Sequence, residues 1–253
     1  MSRNAVYTAL TLRTRPLGEA NREAIFLTAE EGLVRATVFG GPKSKLRSYA
    51  STGHSGTLYI YHDPVKDYRK LTDFDVKAWR PGLRENYDRT MAAAALAETI
   101  LETQGGGGSW TEALSLAETS LDALEAADEA LCRRILLRFL WNWADILGLR
   151  PSLDRCGHCS RELPPESPFW YLPAEGYLCC PVCAGFAPGE NPPAPGMVPV
   201  GGGARRWLSA VQNRAPALLS RLGMDRRSGT EVRSLVTAIL AGALGRRLGT
   251  WDW

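Results

Sequence analysis

The chain has 253 residues, 45% of them hydrophobic, enough to bury a full core, so a disordered chain is excluded. No run of about 18 apolar residues is present to cross a bilayer, and the opening MSRNAVYTAL lacks the apolar stretch and cleavage site of a secretory leader, so a cytoplasmic protein with no membrane partner is expected. The formal net charge of +3 conceals segregation: residues 1–80 carry 13 Lys and Arg against 8 Asp and Glu, residues 81–131 carry 2 against 10, and residues 186–253 carry 9 against 4, so two basic regions flank an acidic one.

The first eighty residues read as β-structure. Short runs at Tyr7–Arg13, Arg22–Thr28, Leu33–Phe39, Thr57–His62 and Tyr68–Val76 are separated by turn residues, among them Pro16-Leu17-Gly18, Gly40-Gly41-Pro42 and Asp63-Pro64. Five short strands suggest a small barrel. Alternation places Leu58 and Ile60 on one face and Tyr59 and Tyr61 on the other. Beyond Pro81 the apolar spacing becomes helical, first over Tyr87–Thr103. After Gly105–Gly108, Ser109 and Glu112 have capping-box spacing and start a second helix. Asp128 is placed to cap a third, which is apolar on much of its circumference through Leu147 and ends at Gly148. Residues 151–203 are rich in Pro and Gly, so regular structure there is limited. Residues 204–248 return to helix, with an interruption at Pro216 and a second capping box at Ser228 and Glu231. The chain thus divides into a barrel at 1–80, a helical domain built from 81–150 and 204–253, and an insertion and linker at 151–203. The fold class is multidomain α+β.

Five of the six cysteines fall in that insertion. Cys156-Gly157-His158-Cys159 and Cys180-Pro181-Val182-Cys183 are two CxxC pairs with 20 residues between them, the spacing of a four-thiolate zinc site. Two such knuckles complete a tetrahedron and leave no position for water, so the expected ion is one structural zinc. Buried or disulfide-paired thiols are the competing reading, disfavoured in a reducing compartment. Cys179 reads as a non-ligand, and Cys132, on the apolar third helix, as a packed small hydrophobe. A deaminase-type zinc enzyme needs a glutamate two residues after a histidine ligand. The histidines occur as His54-Ser55-Gly56, His62-Asp63-Pro64 and His158-Cys159-Ser160, so that arrangement is absent and no catalytic residue is assigned.

Lys43, Lys45 and Arg47 follow the Gly40-Gly41-Pro42 turn and read as a mobile cationic loop. Arg13, Arg15 and Arg35 are candidates to join it, a cluster suited to phosphates. Tyr59 and Tyr61, with Tyr68 beside Arg69 and Lys70, supply rings on which unpaired bases stack. The plainer reading is a solvated loop and a tyrosine stripe packed on the helical domain. Arg133, Arg134 and Arg138 on the third helix read as ordinary solubilising charge.

The order of these features resembles the RecO family of recombination mediators. In the amino-terminal part the likeness lies in Arg13-Thr14-Arg15-Pro16-Leu17-Gly18-Glu19, in Leu27-Thr28-Ala29-Glu30-Glu31-Gly32-Leu33-Val34-Arg35 and in Gly40-Gly41-Pro42-Lys43-Ser44-Lys45; farther on it lies in Leu147–Cys159. The resemblance implies an OB-fold barrel that binds single-stranded DNA, and double-stranded DNA as well, and that anneals complementary strands. It implies contact with RecR and with the C-terminal tail of single-strand-binding protein, help in loading the recombinase RecA, a nucleoid-associated place in the cytoplasm, and no catalysed reaction. By position, the family's basic surface falls on Arg13, Arg15, Arg35, Lys43, Lys45 and Arg47, and its zinc ligands on Cys156, Cys159, Cys180 and Cys183. In this chain Phe39 precedes Gly40-Gly41, where the family tends toward arginine.

Two other readings compete with a DNA mediator. A protein-interaction scaffold would bind acidic peptide tails and touch DNA only incidentally. A metal-dependent hydrolase would need carboxylate pairs near the cysteines, where Glu162, Glu166 and Glu175 are scattered.

Overall fold

A computed structural model of the chain describes residues 3–41, 43–185 and 196–251, so Pro42 of the expected turn and residues 186–195 of the expected linker lie outside the described residues. The chain forms two compact units, Met1–Cys132 and Arg133–Trp253.

In the first unit, β1 (Asn4–Leu17), β2 (Asn21–Thr28), β3 (Gly32–Val38), β4 (Ser55–Asp63) and β5 (Tyr68–Ala78) close into an OB-like barrel in the order β1-β2-β3-β5-β4. Neighbours pair antiparallel except β3 and β5, which run parallel with Thr37 opposite Lys70. Alternation sends Ala24, Phe26, Leu58, Ile60, Leu71 and Phe74 into the barrel, where Phe26 and Phe74 meet edge to face with centroids 5.9 Å apart. Each such buried ring or branched chain contributes about 1.5–3 kcal/mol. Register shifts at Thr11/Arg13 and at Tyr59/Ile60 leave Leu12 and Thr72 as bulges, which sharpen the twist that closure requires.

The segment after β3 is not the loop expected from its charge. It forms a single helical turn, α1 (Lys45–Tyr49), because Leu46, Tyr49 and Ala50 pack against the barrel core and so fix the backbone between the cations.

Two helices follow, α2 (Tyr87–Glu102) and α3 (Trp110–Leu124). Both lie against β1, and α3 also lies against β2. Leu10, Leu12, Ile25 and Leu27 are therefore buried as well, and β2 is covered on both faces from Ala24 to Thr28. Asn86 caps α2 by accepting from Arg89 N at 3.2 Å. Ser109 does sit at the start of α3, but its side chain makes no capping bond. Arg80, with φ +44°, ties this unit together: Nε donates to Asp122 at 2.5 Å, and one terminal nitrogen donates to Gly53 O at 2.8 Å and Ser55 Oγ at 3.0 Å.

The long helix α4 (Glu129–Ile146) begins where expected, with Asp128 accepting from Leu131 N at 2.8 Å, and is followed by Gly148 at φ +69°. Along it Phe139 and Trp143 stack with centroids 5.4 Å apart. The second unit adds a three-stranded sheet in the order β7-β6-β8, from β6 (Phe169–Leu172), β7 (Tyr177–Cys179) and β8 (Val198–Val200), and the helices α5 (Gly202–Val211) and α6 (Arg226–Leu244). The expected capping box at Ser228 is displaced. Asp225 caps α6 through Ser228 N at 2.9 Å, while Glu231 accepts from Gly201 N at 2.9 Å. A carboxylate at Asp225 satisfies the helix start and frees Glu231 to hold the entry of α5. Among the described residues no helix is long and apolar enough to cross a membrane.

Candidate metal centre and nucleic-acid interface

Each CxxC segment closes on itself: Ser160 N donates to Cys156 O, and Ala184 N to Cys180 O, both at 2.9 Å. The first knuckle is then fastened to β7, because Gly157 N donates to Leu178 O at 2.8 Å and Cys180 N donates to Cys156 Sγ at 3.4 Å. Gly157 is required there: a Cβ would lie 2.4 Å from Cγ of Tyr177, closer than any side chain tolerates.

The outcome is that the sulfurs of Cys156, Cys159, Cys180 and Cys183 all lie within 4.8 Å of one another, with Cys159 and Cys180 at 4.0 Å. Thiolates around a tetrahedral ion with bonds of about 2.3 Å sit roughly 3.8 Å apart, so the four fit one metal ion. Burial raises the Cys156 thiol, but backbone N–H groups of Cys159, Cys180 and His158 pull it down to about 6, so it ionises readily. The Cys183 thiol is pushed upward by its hydrogen bond with the Cys180 sulfur. Four sulfurs this close cannot all carry charge without a cation among them. Cys179 is outside the group, and burial, reinforced by the Cys156 sulfur, raises its thiol to about 11. Cys132 is buried, and its thiol is likewise raised to about 11 by burial, as suits a packed hydrophobe.

What holds this module was not anticipated. Arg205 is 3% exposed; it donates to Leu153 O at 3.1 and 2.6 Å and to Pro164 O and Ser167 O at 2.7 Å, and its guanidinium lies 4.3 Å from the Phe169 ring centroid. The one local signal is its place among the buried residues Ala204, Trp207 and Leu208 of α5. Of the three arginines of α4, Arg133 is exposed, whereas Arg134 and Arg138 depart from the solubilising role expected of them. Arg138 is 5% exposed, donates to Arg214 O at 2.7 Å, and is lowered by burial to about 10. Arg134 donates to Leu219 O and Leu222 O at 3.0 and 2.9 Å. These cations terminate the carbonyls of a 3-10 turn, Pro216–Ser220, and of the residues around it.

On the barrel, the pairing register assembles most of the expected cations and rings on one outer surface. Arg13 and Arg35 flank the buried Ile25 in one row, and a second row runs Arg15, Glu23, Thr37, Lys70 and Tyr61. Tyr59 is 38% exposed on the same face of β4. Lys43 and Lys45 are exposed and Arg47 half-buried along α1 and the turn before it. Two of the cations are already balanced. Arg15 pairs with Glu23 at 2.6 Å. Arg69 lies opposite His62 and reaches Glu31 at 2.5 Å; Glu31 also accepts from the Tyr7 hydroxyl at 2.6 Å. Burial, reinforced by Glu31, pushes Tyr7 up to about 12. Against its own desolvation, Glu31 is held below the ordinary carboxylate range by the hydrogen bonds from Tyr7 and Arg69.

Phe39 was missed as a surface residue. It continues the outward alternation of Arg35 and Thr37, is 40% exposed, meets Tyr68 edge to face at 6.2 Å, and has Lys70 Nζ 5.2 Å from its centroid. Only the outward alternation of Arg35 and Thr37, carried one step past the end of β3, marks it in the sequence.

Comparison with known proteins gives a consistent result. The sequence model of the family described as Recombination protein O C terminal matches residues 84–252. The chain is 29% identical to the DNA repair protein RecO of Anaeromyxobacter sp. (strain Fw109-5), over 98% of this chain and 94% of that protein. It is also 29% identical to the RecO proteins of Rubrobacter xylanophilus, over 92% and 91% of the two chains, and of Nocardioides sp. (strain ATCC BAA-499 / JS614), over 95% and 94%.

Proposed function

This chain belongs to the RecO family of DNA repair proteins, and from that premise we propose that it is a non-catalytic mediator that binds single-stranded DNA on the outer face of its barrel and anneals complementary strands. The observation that carries this reading is the row structure of that face: Lys70 lies directly opposite Tyr61, with Tyr59 two residues along the same strand, and Arg13 and Arg35 form the next row, so cations that hold phosphates share the face with rings that stack bases. Lys43, Lys45 and Arg47 extend the phosphate track. Arg15 and Arg69, balanced by Glu23 and Glu31, shape the face and add little free charge.

Annealing is limited by repulsion between two phosphate backbones, and a protein that neutralises phosphates on both lowers that barrier. Duplex DNA is held by the same charge without base contacts. As a mediator the protein acts with RecR to load RecA onto strands coated with single-strand-binding protein, whose C-terminal tail is a further partner, in the cytoplasm at the nucleoid. Cys156, Cys159, Cys180 and Cys183 hold one zinc ion, which when bound cross-links the two knuckles; the protein's own part is to present four thiolates with no open position.

The test is an annealing assay with complementary oligonucleotides followed by gel electrophoresis. Pairing several-fold faster than the spontaneous rate is expected, and no acceleration at saturating protein overturns the proposal.

A further inference from the structure

We infer that Phe39 is a base-stacking platform at the rim of the barrel, buttressed by Tyr68 and guarded by Lys70, through which this protein distinguishes unpaired DNA bases from the stacked bases of a duplex. The inference rests on the DNA-binding reading of the barrel face and adds a specific discriminating residue to it.

Phe39 directly follows β3, on the outward side of its alternation, and the chain turns immediately after it. Gly40 has φ +110°, and a Cβ there would lie 2.7 Å from that of Ser44; Ser44 Oγ in turn donates to Phe39 O at 3.4 Å. The turn therefore fixes where the ring stands. The benzyl group is 40% exposed, so part of the ring is open to a ligand. Its neighbour Tyr68 is a support: the two rings meet at 65°, and the Tyr68 hydroxyl is buried without a hydrogen-bond partner among the described residues, so the tyrosine spends its polar tip to hold its ring against Phe39.

Lys70 lies over the Phe39 face, and magnitudes decide whether a base can replace it. An exposed cation–π contact is worth about 2- to 5-fold in equilibrium, whereas a base stacked on an aromatic ring is worth roughly 5- to 150-fold. The base wins, and the displaced ammonium is exposed on a flexible stem, free to pair with the adjoining phosphate. One residue thus exchanges a ring for a phosphate as the base arrives. In a duplex both faces of every internal base are already stacked, so along its length this exchange is open to single strands alone.

Fluorescence anisotropy tests this with three probes of equal length: oligothymidylate, the same backbone without bases, and a blunt duplex. Phe39→Ala should weaken oligothymidylate binding about 5- to 150-fold and leave the abasic strand, the duplex and the salt dependence unchanged. Phe39→Trp should retain oligothymidylate affinity. Lys70→Ala should flatten the log–log salt slope by about 0.7. If Phe39→Ala binds oligothymidylate as the parent does, or weakens all three probes alike, the platform is overturned while the barrel remains a DNA site. A parent chain that binds none of the probes overturns the platform and the barrel reading together.

Discussion

The guanidinium of Arg205 donates twice to the carbonyl of Leu153, at 3.1 and 2.6 Å, so a charge on α5 holds the chain just ahead of the first cysteine knuckle. The same group reaches Pro164 O and Ser167 O, spanning the segment from the knuckle to β6.

Arg205→Ala removes the donors to the buried Leu153 O and to the part-buried Pro164 O and Ser167 O, together with the contact with Phe169, so a loss of about 3 kcal/mol is expected for the second unit. Arg205→Lys should recover only part, because an ammonium cannot reproduce the fork. Chemical denaturation followed by tryptophan fluorescence measures both; an unchanged midpoint in Arg205→Ala refutes the role.

The metal centre gives a prediction that separates ligands from bystanders. Purified protein should carry one zinc per chain by elemental analysis, Cys156→Ser and Cys183→Ser should lose it, and Cys179→Ser should keep it. Gly157→Ala should release zinc to a chelator more readily, since its methyl collides with Tyr177, and adding Tyr177→Ala should restore retention in part. Equal retention in Gly157→Ala and the parent shows that the first knuckle has slack.

Cations that look alike in sequence should differ in DNA binding. Replacing Lys43, Lys45 and Arg47 together by Ala should flatten the salt slope for single strands by about 2, from roughly 0.7 per contact. Arg69→Ala should leave the slope unchanged and cost about 1 kcal/mol of stability, because its charge already faces Glu31 at a partly exposed pair. A slope that drops in Arg69→Ala places that arginine on phosphate instead.

Alkaline stability follows from Tyr7. Its phenol is raised from 10.0 to about 12 in the folded chain, so the native state keeps the proton while the unfolded state releases it. The associated stability is complete below pH 10 and declines as pH rises from 10 toward 12. Melting temperatures recorded over that window should fall less steeply for Tyr7→Phe than for the parent, and parallel curves refute the assignment.

Some of this was legible locally. Two CxxC turns at the right separation announce a four-sulfur cluster because each turn fixes two sulfurs by itself. The inward and outward phases of Leu58, Tyr59, Ile60 and Tyr61 follow from the pleat. Asp128 and Gly148 mark helix ends through bonds and dihedrals that involve only their neighbours. By contrast, Ser228 and Glu231 have capping spacing, yet Asp225 takes the cap because Glu231 is drawn to Gly201, 30 residues earlier.

The sequence by itself determined the barrel strands, the helices and the four-cysteine cluster, since each depends on periodicity or spacing within a few residues or a short repeat. Only the tertiary structure decided which charges remain available. Arg80, Arg138 and Arg205 count as basic residues in any composition, but each is buried and donates to oxygens brought to it by distant segments. Phe39 is apolar, yet its ring is left 40% exposed, because α2 and α3 lie against β1 and β2 instead. Burial and pairing are properties of what the rest of the chain places beside a residue, and no local pattern carries that information.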